Sequence, residues 1–189
     1  NVNNLGVGLL TFNGTKIYGP KGSAVLYKRD SIDINPLILG GEQEYGLRAG
    51  TENLVAIAGL ARAVEIIDRN GDSDKQSKLR DRFIKELKAE MPDIRLNGPE
   101  GISRLPNNIN ISVLGLDSEN LLLELDKYGI YASSGSACTS HSVEPSHVLR
   151  AIGTEKKYLG GAIRFSIGKQ TLKKDLEYVL SVFPGIVSS

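Results

Sequence analysis

Short apolar runs of strand length alternate with longer amphipathic patterns along nearly the whole chain, which restricts it to the mixed α/β or α+β classes. Residues 7–12 and 23–27 read as strands, the second preceded by the turn sequence Gly19-Pro20-Lys21-Gly22. Residues 52–69 read as a helix ending at Asn70-Gly71. Ser73-Asp74-Lys75-Gln76 has the form of a capping box and opens a second helix, with Leu79, Phe83, Leu87 and Met91 on one face and Pro92 at its end. Residues 94–96 and 108–113 read as strands, Ile109, Ile111 and Val113 sharing one side of the latter. Asp117 or Ser118 caps a helix reaching Tyr128, and Glu144-Pro145 suits a helix start with proline in its first turn. Residues 162–167 are strand-like. Thr171 begins a last helix, with Leu172, Leu176, Val179, Leu180 and Phe183 facing a core and Pro184-Gly185 as the stop.

Composition narrows the function classes. Lys and Arg number 23 against 22 Asp and Glu, a balance that argues against a general nucleic-acid binder. Cys138 is the single cysteine, so an intrachain disulfide and a multi-cysteine metal site are excluded; a lone thiol suits a reducing compartment, and the expectation is cytoplasmic with no metal. The longest apolar stretch, residues 54–61, is far short of the roughly 20 residues a membrane span needs. The chain opens on Asn1 and its one methionine is Met91, which suggests trimming or a piece of a longer polypeptide.

Four segments can carry chemistry. Lys16 follows an apolar strand inside a glycine-rich loop, flanked by Asn13 and Thr15; it reads either as a solvated lysine or as an amine for a Schiff base with a carbonyl cofactor. The loop from Gly40 ends on Thr51 at a helix start, where a hydroxyl and backbone N–H groups suit phosphate, or where threonine is only the cap. Cys138 lies among small polar residues rather than in an apolar run, and reads either as an accessible thiol or as an inert loop cysteine; His141, three residues on, either assists the thiolate or is idle at the surface. Arg164 interrupts an apolar strand, a costly placement unless it meets an anion: a substrate carboxylate or a structural ion pair.

Together and in this order, these segments resemble the pyridoxal-phosphate-dependent cysteine desulfurases of the class-V aminotransferase-like family. The likeness is to the subgroup whose cysteine loop reads S-S-G-S-A-C-T-S, as residues 133–140 do. K-I-Y-G-P-K-G at Lys16, E-P-S-H-V-L-R at Glu144 and I-R-F-S-I-G at Ile163 extend it over nearly the whole chain. The resemblance implies a transferase fold of type I, with residues 1–70 ending the large cofactor domain and 71–189 forming the small C-terminal domain. It implies pyridoxal 5'-phosphate on Lys16, with Asn13 and Thr15 toward the phosphate and Thr51 reaching the cofactor of a neighbouring subunit in a homodimer. Arg164 would hold the α-carboxylate of L-cysteine, and Cys138 would take its sulfur as a persulfide for a sulfur-acceptor or scaffold protein, serving iron–sulfur cluster assembly or tRNA thiolation. The alternatives are a selenocysteine lyase or related aminotransferase-like enzyme, and a non-catalytic desulfurase-like binding module.

The chain departs from the family pattern in places. Gly8 replaces an aspartate, Asn13 a serine and Thr15 a histidine. Family chains are about twice as long, and the half not represented here carries the ring-stacking histidine, the aspartate that pairs with the ring nitrogen and a further phosphate loop. The C-terminus stops soon after the last helix, where some relatives carry a tail that docks the scaffold. The isolated chain is therefore expected to be inactive. Asn13 and Thr15 still offer hydrogen bonds but lack an imidazolium's charge, so Thr15→His is expected to tighten cofactor binding. Titration with pyridoxal phosphate tests this, and unchanged affinity would contradict it.

Overall fold

The computed structural model describes residues 1–67, 71–134 and 146–188. The chain divides into two compact units, Asn1–Asp68 and Arg69–Ser189. The first begins with the short helix α1 (Val2–Leu5), capped by the Asn1 side chain. Strands β1 (Leu9–Asn13) and β2 (Ala24–Lys28) pair antiparallel, from Leu9 opposite Lys28 to Asn13 opposite Ala24. The 3-10 turn Gly14–Ile17 continues directly from β1. Helix α2 (Leu54–Ile66) buries Ala56, Leu60 and Ala63 and leaves Val55, Ile57 and Val64 exposed. An apolar surface continuing round a helix normally marks one covered on more than one side.

The second unit is a sheet with its long helices packed on its apolar face. Helix α3 (Gly71–Glu90) is followed by β3 (Arg95–Leu96), β4 (Asn108–Ser112), α4 (Ser118–Lys127) and β5 (Ser133–Ser134). Helices α5 (His147–Ala151) and α6 (Lys156–Leu159), strand β6 (Ala162–Ser166) and helix α7 (Lys173–Ser188) complete it. The strand order is β3-β4-β6-β5, and every described pair is antiparallel. Because side chains alternate along a strand, Ile109, Ile111, Ile163 and Phe165 share one face and join a core with Phe83 and Leu87 of α3, Leu121 and Leu125 of α4, and Leu176, Leu180 and Phe183 of α7. Phe165 meets Phe83 edge-on at 5.8 Å and Phe183 at 5.7 Å between ring centroids, tying β6 to α3 and α7.

Two expected helix boundaries are corrected. Helix α3 already begins at Gly71, so Ser73 lies inside it rather than capping it; Asp72 and Asp74 supply the negative charge that its N-terminus favours. Helix α7 runs through Pro184 to Ser188. Proline removes one backbone bond there, but Phe183 and Ile186 are buried on either side of it and hold the helical path. Leu172, expected in the core, is 46% exposed just ahead of α7, where its N–H donates to Asp175 Oδ2 at 2.8 Å. Helix α4 is capped by Asp117, whose Oδ1 accepts from the N–H groups of Glu119 and Asn120. The expected start at Glu144-Pro145 lies outside the described residues.

Periodicity did not anticipate a buried arginine on α3. Arg80 is 1% exposed; its Nη1 donates to the carbonyls of Arg104 at 2.8 Å and Leu105 at 2.9 Å, and its Nη2 to that of Gly101 at 3.0 Å. Arg104, also buried, donates to the carbonyls of Pro99 and Asn97 and to Asn108 Oδ1. Burial, then the nearby Arg80 charge, holds its guanidinium below the ordinary arginine range. The two side chains thus satisfy the irregular backbone between β3 and β4 from within. Arg80→Ala would remove all three bonds and strand the Arg104 carbonyl, since those of Gly101 and Leu105 also accept from the Arg104 and Asn108 N–H groups; it is expected to cost about 3 kcal/mol in a urea melt. Lys88→Ala, which removes an exposed pair with Glu100, should change stability little.

Candidate functional site

The turn that presents Lys16 is built on close backbone packing. Gly14 is buried; its N–H donates to the Ser23 carbonyl at 2.9 Å, and its carbonyl accepts from the Gly19 N–H at 2.7 Å. A Cβ at Gly14 would fall 2.3 Å from Ser23 Oγ and 3.3 Å from Leu60 Cδ1, so only glycine lets the turn lie this close to β2 and α2. Gly59 of α2 repeats the constraint, since a Cβ there would fall 2.7 Å from Pro20 Cγ. Tyr18 closes the turn at φ 64, a left-handed conformation unusual for a residue with a side chain. Lys16 is left exposed on this anchored turn, with no hydrogen-bond or ion-pair partner among the described residues.

Asn13 and Thr15 are brought together beside it. Thr15 Oγ1 donates to Asn13 Oδ1 at 2.7 Å, which leaves the Asn13 amide N–H groups free to donate elsewhere. An unpaired primary amine next to an uncommitted amide donor is chemically suited to a group carrying both a carbonyl and a phosphate, so the residues present fit pyridoxal phosphate.

Thr51 is exposed in the irregular segment before α2. It is not the helix cap: Asn53 holds that place, its Oδ1 accepting from the Ala56 N–H at 3.1 Å. The loop leading to Thr51 is strained at two successive residues, Glu44 at φ 50 and Tyr45 at φ 60, with Tyr45 98% exposed.

Arg164 lies in the second unit on β6, an interior strand of the sheet. Its neighbours Ile163 and Phe165 point into the core, so its own side chain emerges on the opposite face. Arg164 Nε is the one buried side-chain nitrogen or oxygen without a hydrogen-bond partner among the described residues. None of the carboxylates described pairs with it, so the ion-pair reading has no support there. Directly across from Arg164 stand Asn110 on β4 and Ser133 on β5. Cys138 and His141 lie outside the described residues. Among the described residues no cluster of His, Cys, Asp and Glu could hold a metal, and no helix is long and apolar enough to cross a membrane.

Asn110 went unnoticed in the sequence. Its signal was the alternation Asn108-Ile109-Asn110-Ile111-Ser112, which sends polar residues to the face away from the core. Which of them stands opposite Arg164 follows only from the register.

The family model for class-V aminotransferases matches residues 1–179. A cysteine desulfurase IscS from Dictyoglomus turgidum is 47% identical over 99% of this chain and 48% of its own. The NifS-like protein of Rickettsia africae superposes with a TM-score of 0.87 at 31% identity, over 100% of this chain and 50% of its own. A structure of SspA in complex with cysteine matches at TM-score 0.67 and 30% identity, over 91% of this chain and 47% of its own. The chain spans about half the length of the curated relatives it matches.

A guanidinium kept for a ligand should contribute nothing to folding. Arg164→Met is expected to leave stability unchanged or raise it by about 1 kcal/mol, because it removes an unsatisfied buried donor. A urea melt checks this, and a loss of about 2 kcal/mol or more would make Arg164 a structural tie.

Proposed function

The chain belongs to the class-V aminotransferase family, and on that premise we propose that it is the C-terminal half of a pyridoxal-phosphate-dependent cysteine desulfurase. The observation that carries the reading is Arg164 Nε, buried without a partner on an interior strand, where an anionic substrate group would complete it. The uncovered apolar surface of α2 supports the view that this is part of a larger whole, with the first unit as the end of the large domain and the second as the small domain.

Pyridoxal phosphate, when bound, supplies an electron sink for the bond from the substrate Cα to hydrogen. Lys16 holds it, Asn13 donates a hydrogen bond toward its phosphate, Thr15 fixes the Asn13 amide, and Thr51 serves the phosphate of the neighbouring subunit in a homodimer. As a free amine, Lys16 Nζ would take the Cα proton and later return a proton to the carbon skeleton. Arg164 grips the α-carboxylate with its planar fork. The Cys138 thiolate attacks the substrate Sγ: a sulfur–sulfur bond forms, the Cβ–S bond breaks, and the carbon fragment leaves as L-alanine after protonation. Cysteine and thiol become alanine and persulfide, and no outside oxidant or reductant is required. The persulfide passes to an acceptor or scaffold protein for cluster assembly or tRNA thiolation. This chemistry suits a reducing compartment, the cytoplasm.

Borohydride reduction of the chain with pyridoxal phosphate, followed by peptide mapping, is expected to place the pyridoxyl group on Lys16. No adduct there, even with the N-terminal half of a relative supplied, would favour a non-catalytic module. Alone with cofactor and cysteine the chain is expected to release no alanine, and sustained turnover would contradict the need for the other half. With that half supplied, Cys138→Ser should abolish persulfide formation while leaving the Lys16 adduct intact.

A further inference from the structure

We propose that Asn110 is a second donor to the substrate carboxylate beside Arg164, its amide aimed by Asn97 as a positioning residue; this rests on the reading of Arg164 as the carboxylate site. The hydrogen-bond phase of the sheet brings the two side chains together. The Val113 N–H donates to the Gly161 carbonyl at 3.0 Å and the Ile167 N–H to the Asn107 carbonyl at 3.1 Å, both straight across the ladder. Alternation then makes Asn110 opposite Arg164 a pair without direct backbone bonds, the kind whose side chains approach most closely. Both emerge on the face away from the apolar core, because Ile109, Ile111, Ile163 and Phe165 occupy the other.

The Asn110 amide is oriented from its far side. Asn97 is 4% exposed, and its Nδ2 donates to Asn110 Oδ1 at 2.8 Å and to Ser112 Oγ at 2.8 Å. Asn97 Oδ1 accepts from Thr154 Oγ1 at 3.4 Å, and its backbone N–H donates to the Asn110 carbonyl at 2.9 Å. With Asn110 Oδ1 committed to Asn97, what remains is the Nδ2 donor, which has no acceptor among the described residues. Arg164 Nε likewise has no partner among them. Two adjacent donor groups without an acceptor between them are complementary to a carboxylate, whose two oxygens accept from both.

The test is an NMR titration of the 15N-labelled chain with L-alanine, an unreactive carrier of the same carboxylate. The Arg164 Nε–H and Asn110 Nδ2 signals are expected to shift together with one apparent Kd. Asn110→Asp keeps the acceptor that Asn97 uses but removes the donor, and should weaken binding about ten-fold or more. Asn110→Ala, which adds no charge, should weaken it several-fold, and Asn97→Ser should weaken it with the Asn110 signals no longer moving with Arg164. If Arg164 shifts and both Asn110 variants bind like the wild type, the role of Asn110 is overturned while that of Arg164 stands. If Arg164 does not respond, or Arg164→Met still binds, the carboxylate site itself is overturned.

Discussion

The placement of Arg164 depends on the two-residue alternation of β6. Ile163 and Phe165 are drawn into the core, and Phe165 is gripped edge-on by Phe83 and Phe183 from two helices. A slip of one residue would drive the guanidinium into that core and expose the aromatic ring, so the register is strongly fixed. Apolar burial on one face of the sheet therefore holds a charged group at a set position on the other. The partnerless Nε is tolerated because several buried aliphatic and aromatic side chains, each contributing about 1.5–3 kcal/mol, secure the strand that carries it.

The same logic, with glycine in place of aromatic rings, governs the first unit. In the proposed function Lys16 must be exposed to react yet held still to be useful. Gly14, Gly19 and Gly59 let backbone, Pro20 and α2 meet at distances that a Cβ would forbid. This anchors the turn through its main chain and leaves the lysine side chain unencumbered. Beside it Thr15 holds the Asn13 amide oxygen, which leaves the Asn13 amide donors uncommitted.

Much of this was legible in the sequence. Helix and strand periods located the major elements, and the alternation of residues 109–113 identified the inward face of β4 correctly. The order of the motif-bearing segments pointed to the family. The misses share a cause, which is that local pattern competes with long-range packing. Ser73 offered a good cap, but the helix had begun at Gly71; Pro184 offered a good stop, but Phe183 and Ile186 are buried on both sides of it. Arg80 gave no signal in the sequence, because its acceptors are backbone carbonyls some two dozen residues away.

The sequence by itself determined the residue chemistry: an amine in a glycine turn, a lone cysteine in a small polar loop, an arginine within an apolar strand. Those properties follow from composition and short-range spacing, which local physics reads directly. Only the tertiary structure decided that Arg164 lacks a carboxylate partner among the described residues and that Asn110 stands across from it with its oxygen already committed to Asn97. Strand pairing and hydrogen-bond phase join residues more than fifty positions apart, and no periodicity within a single segment encodes which two will meet.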